Sequence, residues 1–178
     1  MEMPLSFLFG TVGSLAATPF KPDGTVGGIQ YAAYIGLDAL ELAWVQGVRV
    51  GEMTCAAIKQ AAAETGVALS VRAPNYINLN GDDEKLPRLR QYLIDATHYG
   101  NLAGATDIIF QPGTYFGHPA DEVLKVTIPR FLSCVDELRA SGNPVTLRPE
   151  ISGKAAMLGS LTDVLAMVLA IPGRCPMY

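Results

Sequence analysis

The sequence has little of what usually announces a chemistry. Its 178 residues include two histidines, three cysteines and one tryptophan. Cys55, Cys134 and Cys175 are odd in number, far apart and outside any CxxC or Cys/His spacing, which excludes a zinc-finger core and a disulfide framework. They are expected to be reduced and mostly buried, as in a cytoplasmic protein. His98 falls on a helical stretch and His118 precedes Pro119, both positions expected to face solvent. No HxH, HExxH, GxSxG or P-loop pattern exists. Charge is scarce as well. Charged residues make up 17%, and 13 Lys+Arg against 17 Asp+Glu give a net charge of −4, so nothing global attracts a phosphate backbone. No run approaches the roughly 18 apolar residues of a membrane span. The first ten residues are apolar but carry no basic residue ahead of the apolar run, so no leader is expected. With 49% apolar residues disorder is excluded, and this length reads as one domain, residues 1–178, able to bury a core.

What is present is one unit repeated. Short branched apolar runs at Phe7–Val12, Ala39–Val45, Ala68–Ala73, Asp107–Gln111 and Val145–Pro149 read as strands. Between them, residues 26–36, 51–65, 83–103, 119–141 and 160–170 have helical period. Leu86, Leu89, Leu93, Ala96, Gly100 and Ala103 recur at spacings of three and four, as do Leu124, Ile128, Phe131, Val135 and Leu138, so each set shares one helix face. Gly66, Gly104 and Gly142 fall where left-handed helix ends favour glycine. Asp83 and Ser160 stand where N-caps do. Gly24, Gly27 and Gly28 are spaced for a loop ahead of the first helix. Pro129 lies within the fourth helical stretch, where a kink is expected.

Alternating strands and helices predict an α/β fold with a parallel sheet and helices outside it. Five βα units fall short of the eight of a closed barrel. The residues Arg174–Tyr178 stand where a sixth strand is expected to start. The expectation is an incomplete TIM-type barrel, C-terminally truncated.

In such folds functional groups gather beyond the C-terminal strand ends. Those ends read Gly10–Gly13, Glu41–Trp44, Arg72–Asn78, Gln111–Tyr115 and Arg148–Glu150, each polar after an apolar strand. Glu150 could ligate a metal, act as a base, or pair with Arg148, Arg72 or Lys154. Arg72 could bind phosphate or carboxylate, or neutralise Glu150.

Several of these segments together resemble the endonuclease IV group, apurinic/apyrimidinic endonuclease family 2, within the xylose isomerase-like TIM barrels. The resemblance runs from about Phe9 to Pro176. It rests on Gly10–Ser14, Gly27-Gly28, Leu37–Leu42, Leu69–Pro74 with Tyr76–Leu79, Ile109–Gly113, and Arg148–Glu150 with Gly153-Lys154. It implies a barrel whose mouth holds zinc and hydrolyses the phosphodiester 5′ to an abasic site in DNA, as a repair enzyme. The family's first ligand histidine falls on Arg72, the second on Gln111, and its bridging glutamate on Glu150. The resemblance therefore implies Glu150 as catalytic residue and ligand, with Gln111 as the second ligand. It places Arg72, Asn75, Tyr76, Asn78, Arg148 and Lys154 around the substrate. An arginine stays protonated and cannot ligate zinc, and a Gln carbonyl replaces imidazole poorly. The expectation is a family member without catalysis on its own.

Two alternatives stand beside it. One is a sugar isomerase or epimerase-like metal enzyme completed by self-association. The other is a non-enzymatic module binding a phosphorylated ligand through Arg72, Arg148 and Lys154. Exposed apolar surface on an incomplete barrel predicts homo-oligomers.

Overall fold

The computed structural model describes residues 7–13 and 18–172. Cys175, Ser14 and the expected sixth-strand start lie outside them. Five βα units follow one another: β1 (Gly10–Val12), α1 (Thr25–Tyr34), β2 (Ala39–Ala43), α2 (Glu52–Thr65), β3 (Ala68–Arg72), α3 (Leu86–Leu102), β4 (Asp107–Phe110), the short β5 (Gly113–Thr114), α4 (Ala120–Ala140), β6 (Thr146–Pro149), the short β7 (Met157–Leu158) and α5 (Leu161–Leu169). The long strands form one parallel sheet in the order β1-β2-β3-β4-β6. This is the expected α/β architecture, an open arc of a TIM-type barrel.

Side chains alternate across a strand, so each strand sends every second residue to each face. Leu40 and Leu42, Leu69 and Val71, Ile108 and Phe110, and Leu147 are all buried. With Ile29, Ile58, Leu93, Phe131 and Met167 from the helices they make one core. The opposite face carries Val12, Glu41, Ser70, Asp107 and Thr146 in one register row, and Ala43, Arg72, Ile109 and Arg148 in the next. That face would line the inside of a closed barrel.

Several local expectations need correction. Gly27 and Gly28 belong to α1 rather than to a loop before it. The smallness of Gly27 serves packing, because a Cβ there would stand 2.5 Å from the Pro22 carbonyl oxygen. Asp83 does not cap α3, which starts at Leu86; it pairs instead with Arg130 on α4, at 2.6 Å. The first strand is shorter than expected, although Asp38 Oδ2 holds the Phe9 amide at 3.0 Å. α4 runs through Pro129 over 21 residues. Pro129 is exposed, so the amide it lacks is missing on the solvent side, while Val123, Thr127, Phe131, Cys134 and Leu138 keep the helix on the sheet.

Ser160 does cap α5, through a reciprocal box in which its hydroxyl accepts from the Asp163 amide and Asp163 accepts from the Ser160 amide. Asp163 is also bonded by the hydroxyls of Ser160, at 2.6 Å, and Tyr115, which ties the loop after β5 to α5. Burial would raise this carboxyl's pKa, but the Ser160 and Tyr115 hydroxyls and the Ser160 and Gly159 amides outweigh it and hold it below its ordinary value. A carboxyl depressed in the fold contributes stability that is complete above the unfolded value, near 3.9, and lost as pH falls through the folded one. Asp163→Asn is therefore expected to melt below the native chain at pH 7. The gap should narrow below about pH 4, as melting curves at a series of pH values would read.

Candidate functional site

The site is built from the middle of β2 and the C-terminal ends of β3 and β6. Arg72 is the last residue of β3, on the face away from the helices, because Val71 before it is in the core. Its Nε donates to Glu41 Oε1 of β2 at 2.7 Å. Its Nη1 donates to both carboxylate oxygens of Glu150, at 2.8 Å each. Glu150 stands directly after β6, where its amide still bonds the Phe110 carbonyl at 2.8 Å. β3 and β6 flank β4, so their strand ends are about 10 Å apart. Only two long side chains meeting above Ile109 can close that gap.

All three side chains are partly covered, with 29% of Arg72, 15% of Glu41 and 24% of Glu150 accessible. The carboxylates, Glu150 first and then Glu41, push the Arg72 pKa further above its already high ordinary value. The guanidinium is thus a permanent cation, and two carboxylates against one cation leave the cluster with one net negative charge. Of the partners the sequence offered Glu150, the structure selects Arg72. Glu41 stands in the sequence only as the start of the Glu41–Trp44 strand end, with no role of its own, yet a signal for one exists. In Ala39-Leu-Glu-Leu-Ala43 a lone charge sits in the middle of a short buried strand, where a parallel sheet has no use for it unless it is paired.

The other expected site residues are distributed differently. Arg148 shares the register row of Arg72 but leans to Asp107 on β4, its Nε 2.6 Å from Oδ1. Lys154 is exposed on the loop before β7. The three cations thus do not form one basic pocket. Gln111 follows β4, half-buried, next to the Phe110–Pro149 register pair. Asn75 is exposed, and its backbone N–H donates to the Val45 carbonyl. Tyr76 stands beside Tyr92 of α3, ring centroids 4.7 Å apart and edge to face. Asn78 is a brace: its Oδ1 accepts from the Asn80 amide at 3.0 Å and its Nδ2 reaches the Thr114 hydroxyl at 3.4 Å. His98 and His118 are both exposed.

This donor set does not fit zinc. Among the described residues no three His, Cys, Asp or Glu side chains converge. The two carboxylates that do converge already hold a cation, which repels a second one.

The xylose isomerase-like TIM barrel family, AP endonuclease family 2, matches residues 29–175. An uncharacterized protein of Methanocaldococcus jannaschii is 28% identical over 171 residues, covering 94% of this chain and 59% of that protein. Endonuclease IV from Thermus thermophilus superposes with a TM-score of 0.67 at 20% identity, over 93% of this chain and 60% of its own. D-psicose 3-epimerase from Clostridium cellulolyticum H10 gives 0.71 at 13% identity, over 93% and 60%. The chain thus spans about 60% of the length of these relatives. At such identities the solved structures share a fold, and the fold serves both a nuclease and a sugar epimerase. By the extent of the family match, this chain belongs to the xylose isomerase-like TIM barrels.

Proposed function

We propose that this chain keeps the barrel of the endonuclease IV-like proteins without their divalent-metal hydrolysis, and that its strand-end site binds and orients rather than cleaves. One observation carries the reading: the Arg72 guanidinium lies between Glu41 and Glu150, at 2.7 and 2.8 Å, and occupies the carboxylate of Glu150 that a hydrolytic metal would need. Arginine cannot be deprotonated to make room. An abasic-site phosphodiester also meets a cluster with a net negative charge, in a chain of net charge −4. Buried Cys55 and Cys134 are free thiols, which supports a place in the reducing cytoplasm. No helix among the described residues is long and apolar enough to cross a membrane.

The same reading includes self-association. Among the described residues, β1 and β6 end the sheet. Phe7 and Phe9 before β1 and Val12 at its end are exposed, and Leu161, Leu165 and Leu169 form an exposed stripe along α5. Exposed strand edges with apolar flanks recruit a partner.

One preparation tests both statements. Duplex DNA with a synthetic abasic site is incubated with the chain and zinc, manganese or magnesium, with metal content and light scattering measured on the same sample. No incision 5′ to the site, no stoichiometric zinc and a dimer or larger species are expected. Chelator-sensitive incision with stoichiometric zinc overturns the functional reading. A monomer at tens of micromolar overturns the association.

A further inference from the structure

A cleft separate from the Arg72 cluster lies between the loop after β2 and helix α3. Its volume is about 290 Å³, the small end of the range for ligand pockets, and none of Glu41, Arg72 and Glu150 lines it. One wall is the loop, with Gly47 and Arg49, and the other is α3, with Tyr92 and Asp95. Tyr76, from the loop after β3, spans the two. Its hydroxyl lies at Gly47, where a Cβ would stand 2.9 Å from the oxygen, and its ring meets Tyr92 edge to face at 4.7 Å. Tyr92 is held in turn by Arg88, whose Nε donates to its hydroxyl at 2.6 Å. The aromatic floor is therefore fixed by the fold itself, yet 43% of Tyr76 stays exposed.

The walls carry one charge of each sign, and neither has a counter-charge. Among the described residues Arg49 makes no ion pair, and Asp95 takes one side-chain hydrogen bond, from the uncharged Gln91 amide at 2.7 Å. The two line one cleft without meeting across it. We infer that this cleft binds a free α-amino acid with an aromatic side chain, its carboxylate on Arg49, its ammonium on Asp95 and its ring on Tyr76 and Tyr92. The charges select the class. An anion alone would face Asp95 and a cation alone would face Arg49, whereas a zwitterion satisfies both and adds no net charge. A guanidinium fork matches a carboxylate. An ammonium gains from a carboxylate and from a tyrosine face together. A ring on the tyrosine corner gains a further edge-to-face contact. A neutral polyol would leave both wall charges unanswered. Whether the Arg72 cluster holds a metal does not bear on this site.

The test uses the full chain and L-phenylalanine, followed by calorimetry and by the fluorescence of Trp44. Trp44 is the only tryptophan and is buried. Its carbonyl accepts from the Gly47 amide at 2.9 Å, so its emission reports on the loop wall. A one-to-one complex with a dissociation constant of about 0.1–1 mM is expected. N-acetyl-L-phenylalanine lacks the ammonium and L-phenylalaninamide lacks the carboxylate, and each should bind at least about tenfold more weakly. Arg49→Gln and Asp95→Asn should each weaken L-phenylalanine by a similar factor. Arg49 is exposed and asparagine keeps an oxygen for Gln91, so both variants should melt within about 2 °C of the native chain. In Arg49→Gln the amide should bind as well as the acid, because the group that reads the carboxylate is gone. No saturation of the native chain up to about 10 mM L-phenylalanine overturns the inference. Either analogue binding as tightly as the amino acid overturns the ligand class, and full affinity in both variants overturns the cleft as the site.

Discussion

Arg72→Leu is expected to lower the stability of the native chain by about 2–3 kcal/mol at neutral pH, a fall in melting temperature of roughly 5–10 °C for a domain of this size. The leucine keeps the stem's packing and removes the cation. Glu41 and Glu150 are then left partly buried without a counter-charge, and removing one member of such a pair costs more than the pair itself contributes. The figure is set below that of fully buried pairs because 15–29% of each side chain remains accessible and water screens what it reaches. A thermodynamic cycle separates this from simple loss of packing. Glu41→Gln added to Arg72→Leu removes the like-charge contact and should recover about 1 kcal/mol. The same Glu41→Gln change in the native chain should destabilise. If the double variant is as unstable as the sum of the singles, the three groups do not act as a unit.

Phe131→Ala should be costlier still, about 3–5 kcal/mol by denaturant titration, enough to leave much of a marginally stable chain unfolded. Phe131 is fully buried on α4, with its ring stacked on Phe110 at a centroid distance of 5.9 Å and an interplanar angle of 28°. Truncation removes the transfer energy of the ring and leaves a cavity against the sheet. Phe110 is the last residue of β4, directly before Gln111, so the cavity also loosens the strand end that Glu150 bonds through the Phe110 carbonyl. Phe131→Leu keeps most of the volume and should cost less than about 1.5 kcal/mol. Equal losses for alanine and leucine would mean the ring contributes through its stacking alone.

The elements were legible because each carries its own period. The spacing of Leu93, Ala96 and Gly100 marks the buried side of α3 whatever α3 packs against, and all three are buried. Gly66, Gly104 and Gly142 announce helix ends through a local torsion, and all three have positive φ. Ser160 caps α5 by contacts no more than three residues away. Asp83 was misread for the opposite reason. A cap residue and an ion-pair partner look alike in sequence, and its partner Arg130 is 47 residues away. The short β5–β7 pair escaped for a similar reason, since two residues per strand carry no period and Gly113 and Leu158 meet across 45 positions.

By itself the sequence determined the architecture of this protein: alternating strands and amphipathic helices, and polar residues at the strand ends. Those are properties of short windows or of residue identity. The tertiary structure decided which charges meet. Glu41 and Glu150 are 31 and 78 residues from Arg72 in the chain, and the parallel register brings all three to one rim. Arg148, one register row from its acid, goes to Asp107 instead. A charge's partner depends on which strand lies alongside and which face each residue takes, and Coulomb attraction at 2.7 Å does not record how much chain lies between.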